Sequence, residues 1–117
     1  MKKMYHLGTC NTCQRILSEL KLPEDISIQD IKTHPMSAED LERMRELAGS
    51  YEALFSKRAR LYKARNLKDQ TLCEADFKGL ILEHYTFLKR PVLIYNSQIF
   101  IGNADQTVAA AIEALHS

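Results

Sequence analysis

At 117 residues, 45% of them hydrophobic, the chain has the size and apolar content of one compact domain with a core of its own. Sixteen Lys and Arg against fifteen Asp and Glu leave a formal charge of +1, so nothing in the overall balance points to nucleic acid, a membrane surface or an acidic partner, and electrostatic function must be local. The opening MKKMYHL lacks the apolar core of a signal peptide, and no run approaches the roughly 18 residues of a membrane helix, so a cytoplasmic protein is expected.

In chain order, Lys3 to Leu7 is a short, partly apolar run broken by Gly8 and Thr9, which predicts a strand ending in a tight loop. Cys13, Ile16, Leu17 and Leu20 then fall at i, i+3, i+4 and i+7, one stripe of an amphipathic helix that Pro23 stops. Cys10 lies ahead of that stripe, at the helix start, whereas Cys13 lies on it and should face the core. Residues 26–31, ISIQDI, alternate as a half-buried strand, parallel to the first. The segment HPMSAEDLERMRELAG carries Pro35, a capping pattern from Ser37 to Asp40, apolar Leu41, Met44, Leu47 and Ala48, and a closing Gly49.

From Tyr51 to Leu88 the spacing stays helical, with Phe77, Leu80, Ile81 and His84 as its clearest stripe, and breaks near Ser56 and between Lys68 and Thr71 predict several short helices. Val92 to Tyr95 and Gln98 to Ile101 are β-rich and joined by Asn96-Ser97, a tight hairpin link. Val108, Ala111, Ile112 and Leu115 form a last helical stripe. With the helical block set aside, the order of elements is that of a thioredoxin-like core without a helix before the hairpin. The expected fold is α/β, a four-stranded mixed sheet with an inserted helical block: a single domain over 1–117, with core at about 1–33 and 88–117 and insertion at about 36–87.

The pair Cys10-Asn-Thr-Cys13 carries the chemistry. Three cysteines are an odd number, which argues against a disulfide scaffold, and a close pair in a reducing compartment is more often catalytic or metal-binding. A thiol at a helix N-terminus meets the dipole and unpaired N–H groups that stabilise its anion. A second thiol one turn on is close enough to attack a mixed disulfide formed on the first. A metal site would need further ligands, and Cys73, His6, His34, His84 and His116 complete no ligand spacing, so no metal is expected. The plain alternative, a small core residue beside an incidental loop thiol, stays open at this point. Cys73 reads as an ordinary thiol.

Residues 56–68, SKRARLYKARNLK, hold six Lys or Arg and no acid. Most should form a solvated helix face, with Leu61, Ala64 and Leu67 packed inward; one or two arginines are candidates to hold an anion near Cys10, because the guanidinium donates paired hydrogen bonds and stays charged. Arg90, just before Pro91 and a predicted strand, is the second candidate cation.

YHLGTCNTCQR, LFSKRARLY, LEHYTFLKRPVLI and IFIG, in this order and approximate spacing, resemble the arsenate reductase family that uses glutathione and glutaredoxin, a family that also includes the Spx regulators. The resemblance implies a thioredoxin-like fold with a helical insertion. It also implies a nucleophilic Cys10, with His6 matching a histidine of the reductases. Arg58 and Arg90 would bind the anion, and Pro91 would be a cis-proline beside the site, with Thr9 in the loop next to Cys10. Two residues depart from the reductase pattern: Asn103 stands where a third arginine is expected, able to hydrogen-bond but not to neutralise, and Cys13 adds a second thiol that resembles the Spx switch. Spx in turn has a basic residue where this chain has Gln14, with Arg15 displaced by one.

Two functions follow from the resemblance. One is a cytoplasmic thiol oxidoreductase acting on a small oxyanion or thiol substrate, with Cys10 attacking and Cys13 resolving. It would have no bound cofactor, with glutathione, glutaredoxin or thioredoxin as reductant and redox partner. The other is an Spx-like regulator that binds RNA polymerase through a Cys10–Cys13 disulfide switch, with the basic segment as docking surface. A monomer with no membrane association is expected in either case.

Overall fold

The structure is a computed structural model that describes residues 2–117. It divides into two compact units, the chain up to His34 together with Arg90–Ser117, and Pro35–Lys89.

The first unit is built on a four-stranded sheet of order β2-β1-β3-β4. β1 (Lys2–His6) is central, and Met4, Tyr5 and His6 are all buried, as expected of a strand covered on both faces. It leads through a four-residue loop into α1 (Asn11–Leu20), whose buried side is Cys13, Ile16 and Leu20. Lys21 ends α1 in the left-handed conformation at φ 49°, and Pro23 follows. β2 (Ser27–Asp30) runs parallel to β1 in the register Met4↔Ile28 and His6↔Asp30.

After the second unit, β3 (Val92–Tyr95) and β4 (Gln98–Ile101) form an antiparallel hairpin whose turn begins at Asn96 with φ 58°, a conformation that asparagine tolerates better than most residues. β3 also pairs antiparallel with β1. α5 (Asp105–His116) packs on α1, β3 and β4. Met4, Ile16, Leu20, Ile26, Leu93, Val108, Ala111 and Leu115 make one core cluster, each large side chain contributing about 1.5–3 kcal/mol by leaving water. This mixed sheet with helices is a thioredoxin-like fold.

The alternation of residues 26–31 placed Ile26 and Ile28 on one covered face. Ile26 is buried, but Ile28 is 54% exposed. Among the described residues β2 is an edge strand paired only with β1, and at this margin of the sheet the packing over its faces stops short of Ile28.

The second unit is helical. α2 (Ala38–Ala48) is capped at Ser37, whose Oγ accepts from the Asp40 N–H at 3.1 Å, and closed by Gly49 at φ 97°, whose N–H donates to Arg45 O. α3 (Arg60–Ala64) and α4 (Glu74–Glu83) follow, with 3₁₀ turns at Glu52–Leu54, Leu67–Asp69 and Tyr85–Phe87. Phe55 anchors this unit: its ring lies 4.9 Å from Phe77, 5.4 Å from Phe87 and 5.9 Å from Tyr62, centroid to centroid. The Glu74 carboxylate accepts from the N–H groups of Tyr51 at 2.6 Å and Glu52 at 3.1 Å, satisfying donors at the start of a 3₁₀ turn.

Two expectations for this unit change. His84 does not continue the stripe of Phe77 and Ile81: it is extended, and its Nδ1 accepts from the Thr86 N–H to begin the next turn. In the basic segment Leu67 is buried and Leu61 half-buried, but Ala64 is exposed, and Ala59 takes an inward position instead, because α3 is only five residues long and presents no sustained stripe. Among the described residues no helix is long and apolar enough to cross a membrane.

Candidate redox site

β1 ends at His6, and the loop Leu7–Cys10 turns the chain into α1. Cys10 is the N-cap of that helix, at φ −93° and ψ 115°. Its N–H donates to Leu7 O at 3.0 Å, and its carbonyl accepts from the Gln14 N–H at 3.1 Å, the first bond of the helix. Cys13, one turn later, is 1% exposed. The two cysteines are both free thiols, set side by side in unequal surroundings.

Those surroundings pull their acidities apart. Partial burial opposes ionisation of Cys10, but it is outweighed by hydrogen bonds from the Cys13 N–H and thiol and from the Thr12 N–H, together with the charge of Arg90, so Cys10 falls below the ordinary thiol value. The neutral thiol is not locked into a cap hydrogen bond; these donors act on the anion, the species a helix N-terminus favours. Cys13 is pushed up to about 11, first by burial, against a hydrogen bond from the Leu7 backbone, and further by the hydrogen bond to and charge of Cys10. In such a pair Cys10 is the thiol that ionises first, while Cys13 keeps its proton.

The other sequence-derived residues are distributed as follows. His6 is 9% exposed, and its Nδ1 makes no hydrogen bond. Arg90 is half-buried and acts electrostatically on both cysteines. The Arg90–Pro91 peptide is cis, and Pro91 O accepts from the Gly102 N–H at 2.9 Å. Thr9 is exposed in the loop, and Asn103 is exposed between β4 and α5. Arg58 belongs to the second unit, exposed in the turn ahead of α3. Cys73 is exposed and caps α4, its N–H donating to the Asp76 carboxylate at 2.9 Å. Among the described residues no three His, Cys, Asp or Glu side chains are grouped to hold a metal ion.

Two polar side chains hold Gly8, and neither contact is visible in the sequence. Gln14 Nε2 donates to Gly8 O at 2.9 Å. Asp30, at the end of β2, accepts from the Gly8 N–H at 3.2 Å through Oδ2. Gln14 figures in the sequence only as a departure from the Spx pattern, and no local signal joins Asp30 to Gly8; that contact exists only because β1 and β2 pair in parallel.

The model of the ArsC family matches residues 5–111. The chain belongs to the ArsC family. An arsenate reductase from Vibrio cholerae has a similar structure, with a TM-score of 0.76 at 21% identity over 96% of this chain and 95% of that one. A solution structure of an arsenate reductase (ArsC) related protein from Brucella melitensis gives 0.69 at 20% identity, over 93% and 92%. In sequence, the global transcriptional regulator Spx 2 of Bacillus anthracis is 24% identical over 111 residues, 92% of this chain and 84% of that protein. At such identities the solved relatives establish the fold of this ArsC-family chain, and its chemistry has to be argued from its own residues.

Proposed function

We propose that this ArsC-family protein is a thiol–disulfide oxidoreductase in which Cys10 attacks and Cys13 resolves. The observation that supports the reading is the inequality of the pair: a lowered, partly exposed Cys10 at the start of α1 and a buried Cys13 raised to about 11. The Cys10 thiolate attacks one sulfur of a mixed disulfide R–S–S–R′, forming Cys10–S–S–R and releasing R′S⁻. Bond formation discharges Cys10, which removes its contribution to holding the proton on Cys13. Cys13 then gives that proton to the departing RS⁻ while its sulfur attacks Cys10 Sγ, so a Cys10–Cys13 disulfide forms and RSH leaves. Two electrons have passed from the pair to the substrate, and a dithiol protein or two molecules of glutathione return them.

An oxyanion such as arsenate enters the same cycle by attack of Cys10 at the central atom with loss of one oxygen as water. Cys13 then closes the disulfide as the oxyanion leaves two electrons reduced. Arg90 supplies positive charge for it. Asn103 offers a hydrogen bond without charge, which favours a mixed disulfide over arsenate as substrate.

The test is turnover of a glutathionylated peptide and of arsenate under a coupled glutaredoxin or thioredoxin system. The parent releases the peptide thiol, Cys13→Ser accumulates the Cys10 mixed disulfide, and Cys10→Ser does neither. If neither substrate is turned over and Cys10→Ser matches the parent, the enzyme reading is lost.

The similarity to a global transcriptional regulator supports a second reading, in which the Cys10–Cys13 disulfide switches binding to RNA polymerase. Its test is capture of purified polymerase by the reduced and oxidised protein; no capture, or capture indifferent to oxidant, removes it.

A further inference from the structure

We propose that Asp30 is a positioning residue for Cys10: seated against Gly8, its carboxylate fixes the loop that delivers the attacking sulfur to the start of α1. The proposal rests on the reading of Cys10 as nucleophile and adds a residue from a different strand to it.

Three observations converge. Asp30 stands beside His6 in the β1–β2 register, and the Ile31 N–H donates to His6 O at 3.0 Å, so the end of β2 is tied to the strand from which the Cys10 loop departs. Asp30 is itself fixed: its side-chain Oδ1 accepts from the Lys32 N–H at 3.0 Å, and its backbone carbonyl accepts from the His34 N–H at 2.9 Å. The remaining oxygen, Oδ2, accepts from the Gly8 N–H at 3.2 Å. A side chain at residue 8 would destroy this seat, since a Cβ there would fall 2.4 Å from Oδ2. Glycine is needed for this close approach, not for an unusual backbone conformation.

The loop is then held on both sides of one residue. Asp30 takes the Gly8 N–H, and Gln14 Nε2 donates to Gly8 O, while the preceding carbonyl, Leu7 O, accepts from the Cys10 N–H. Cys10 Sγ depends on alignment with the Thr12 and Cys13 N–H groups for stabilisation as an anion, and these interactions fall off steeply with misalignment. The charged and titratable groups acting on Cys10 are Cys13 and Arg90; Asp30 faces His6 and acts on Cys10 through the loop. The carboxylate is held below its ordinary value by the N–H groups of Lys32 and Gly8, against partial burial, and by His6, so it stays an acceptor throughout the range in which a thiol titrates.

The experiment follows the pH dependence of alkylation at Cys10, each cysteine resolved by peptide mass spectrometry, in the parent, Asp30→Ala and Asp30→Asn, with folding checked by circular dichroism. Asp30→Ala moves the Cys10 midpoint up by about half a pH unit, the order of one weakened helix-terminus interaction. Asp30→Asn has one oxygen for two N–H donors and moves it in the same direction by less, so a shift there carries the proposal if Asp30→Ala fails to fold. An unchanged profile in a folded variant, with only thermal stability lowered, means that Asp30 is merely structural and overturns the proposal while leaving the reading of Cys10 intact. A parent Cys10 that titrates at the ordinary thiol value overturns both.

Discussion

Removing the Cys13 thiol tests the central claim that one cysteine sets the acidity of the other. In Cys13→Ala the Cys10 thiolate loses a hydrogen-bond donor. Hydrogen bonds to charged groups are worth about 1.5–3 kcal/mol and a thiol is a weak donor, so the low end applies, about tenfold in thiolate fraction below the midpoint. A more basic thiolate is intrinsically more reactive, with a Brønsted slope of about 0.4–0.5 that returns roughly threefold. Cys13→Ala should therefore alkylate at Cys10 about threefold more slowly than the parent at low pH and about threefold faster on the alkaline plateau, so that the two curves cross. Cys13→Ser keeps a donor and should leave the midpoint at or below the parent's. The assay is iodoacetamide alkylation of Cys10 from about pH 4 to about pH 10, which brackets both lowered and ordinary thiols. Parallel curves, with a constant ratio at every pH, would show that Cys13 only shields Cys10 sterically and would refute the reasoning.

Arg90→Met should raise the Cys10 midpoint, because a charge that favours the thiolate is lost; the difference between variant and parent should shrink in about 1 M salt, where screening acts within roughly 3 Å. Phe55→Ala removes the ring shared by Phe77, Phe87 and Tyr62 and should cost about 3–5 kcal/mol, read as a lower urea midpoint with hydrogen exchange accelerated most in Pro35–Lys89; a cost under about 1 kcal/mol would contradict the anchoring role. The reduced protein should lose stability as pH rises from about 9 to about 11. Cys13 has a usual value of 9.0 and is raised to about 11 when folded, so its contribution is fully present below about pH 9 and lost through about 11, since the unfolded chain releases the proton first. Urea midpoints at a series of alkaline pH values check this, and Cys13→Ala should decline less steeply across the same window.

The residue-by-residue pattern was enough to divide the labour between the cysteines. A strand, a break at Gly8 and a stripe through Cys13, Ile16 and Leu20 already put one thiol at a helix start and the other in the core, because helix periodicity and termination are local properties, carried by the spacing of apolar residues and by glycine and proline. The hairpin at Asn96-Ser97 and the caps at Ser37 and Gly49 were legible for the same reason. His84 was misplaced because its side chain begins the next turn instead of continuing the helix, a competition that periodicity does not register.

Tertiary structure decided what depends on distant segments. Ile28 is left uncovered at the margin of the sheet, where β2 is the edge strand, so its exposure is set by what packs over that face and not by the alternation of its neighbours. The lowered pKa of Cys10, set first by the local Cys13 and Thr12 hydrogen bonds, gains a further contribution from Arg90, distant in sequence, and the seat of Asp30 against Gly8 joins residues 22 apart. The sequence determined where a thiolate would be favoured; the pairing of β1 with β2 and β3 determined which side chains hold it there, because a hydrogen bond or a charge acts over a few ångströms of space whatever the separation along the chain.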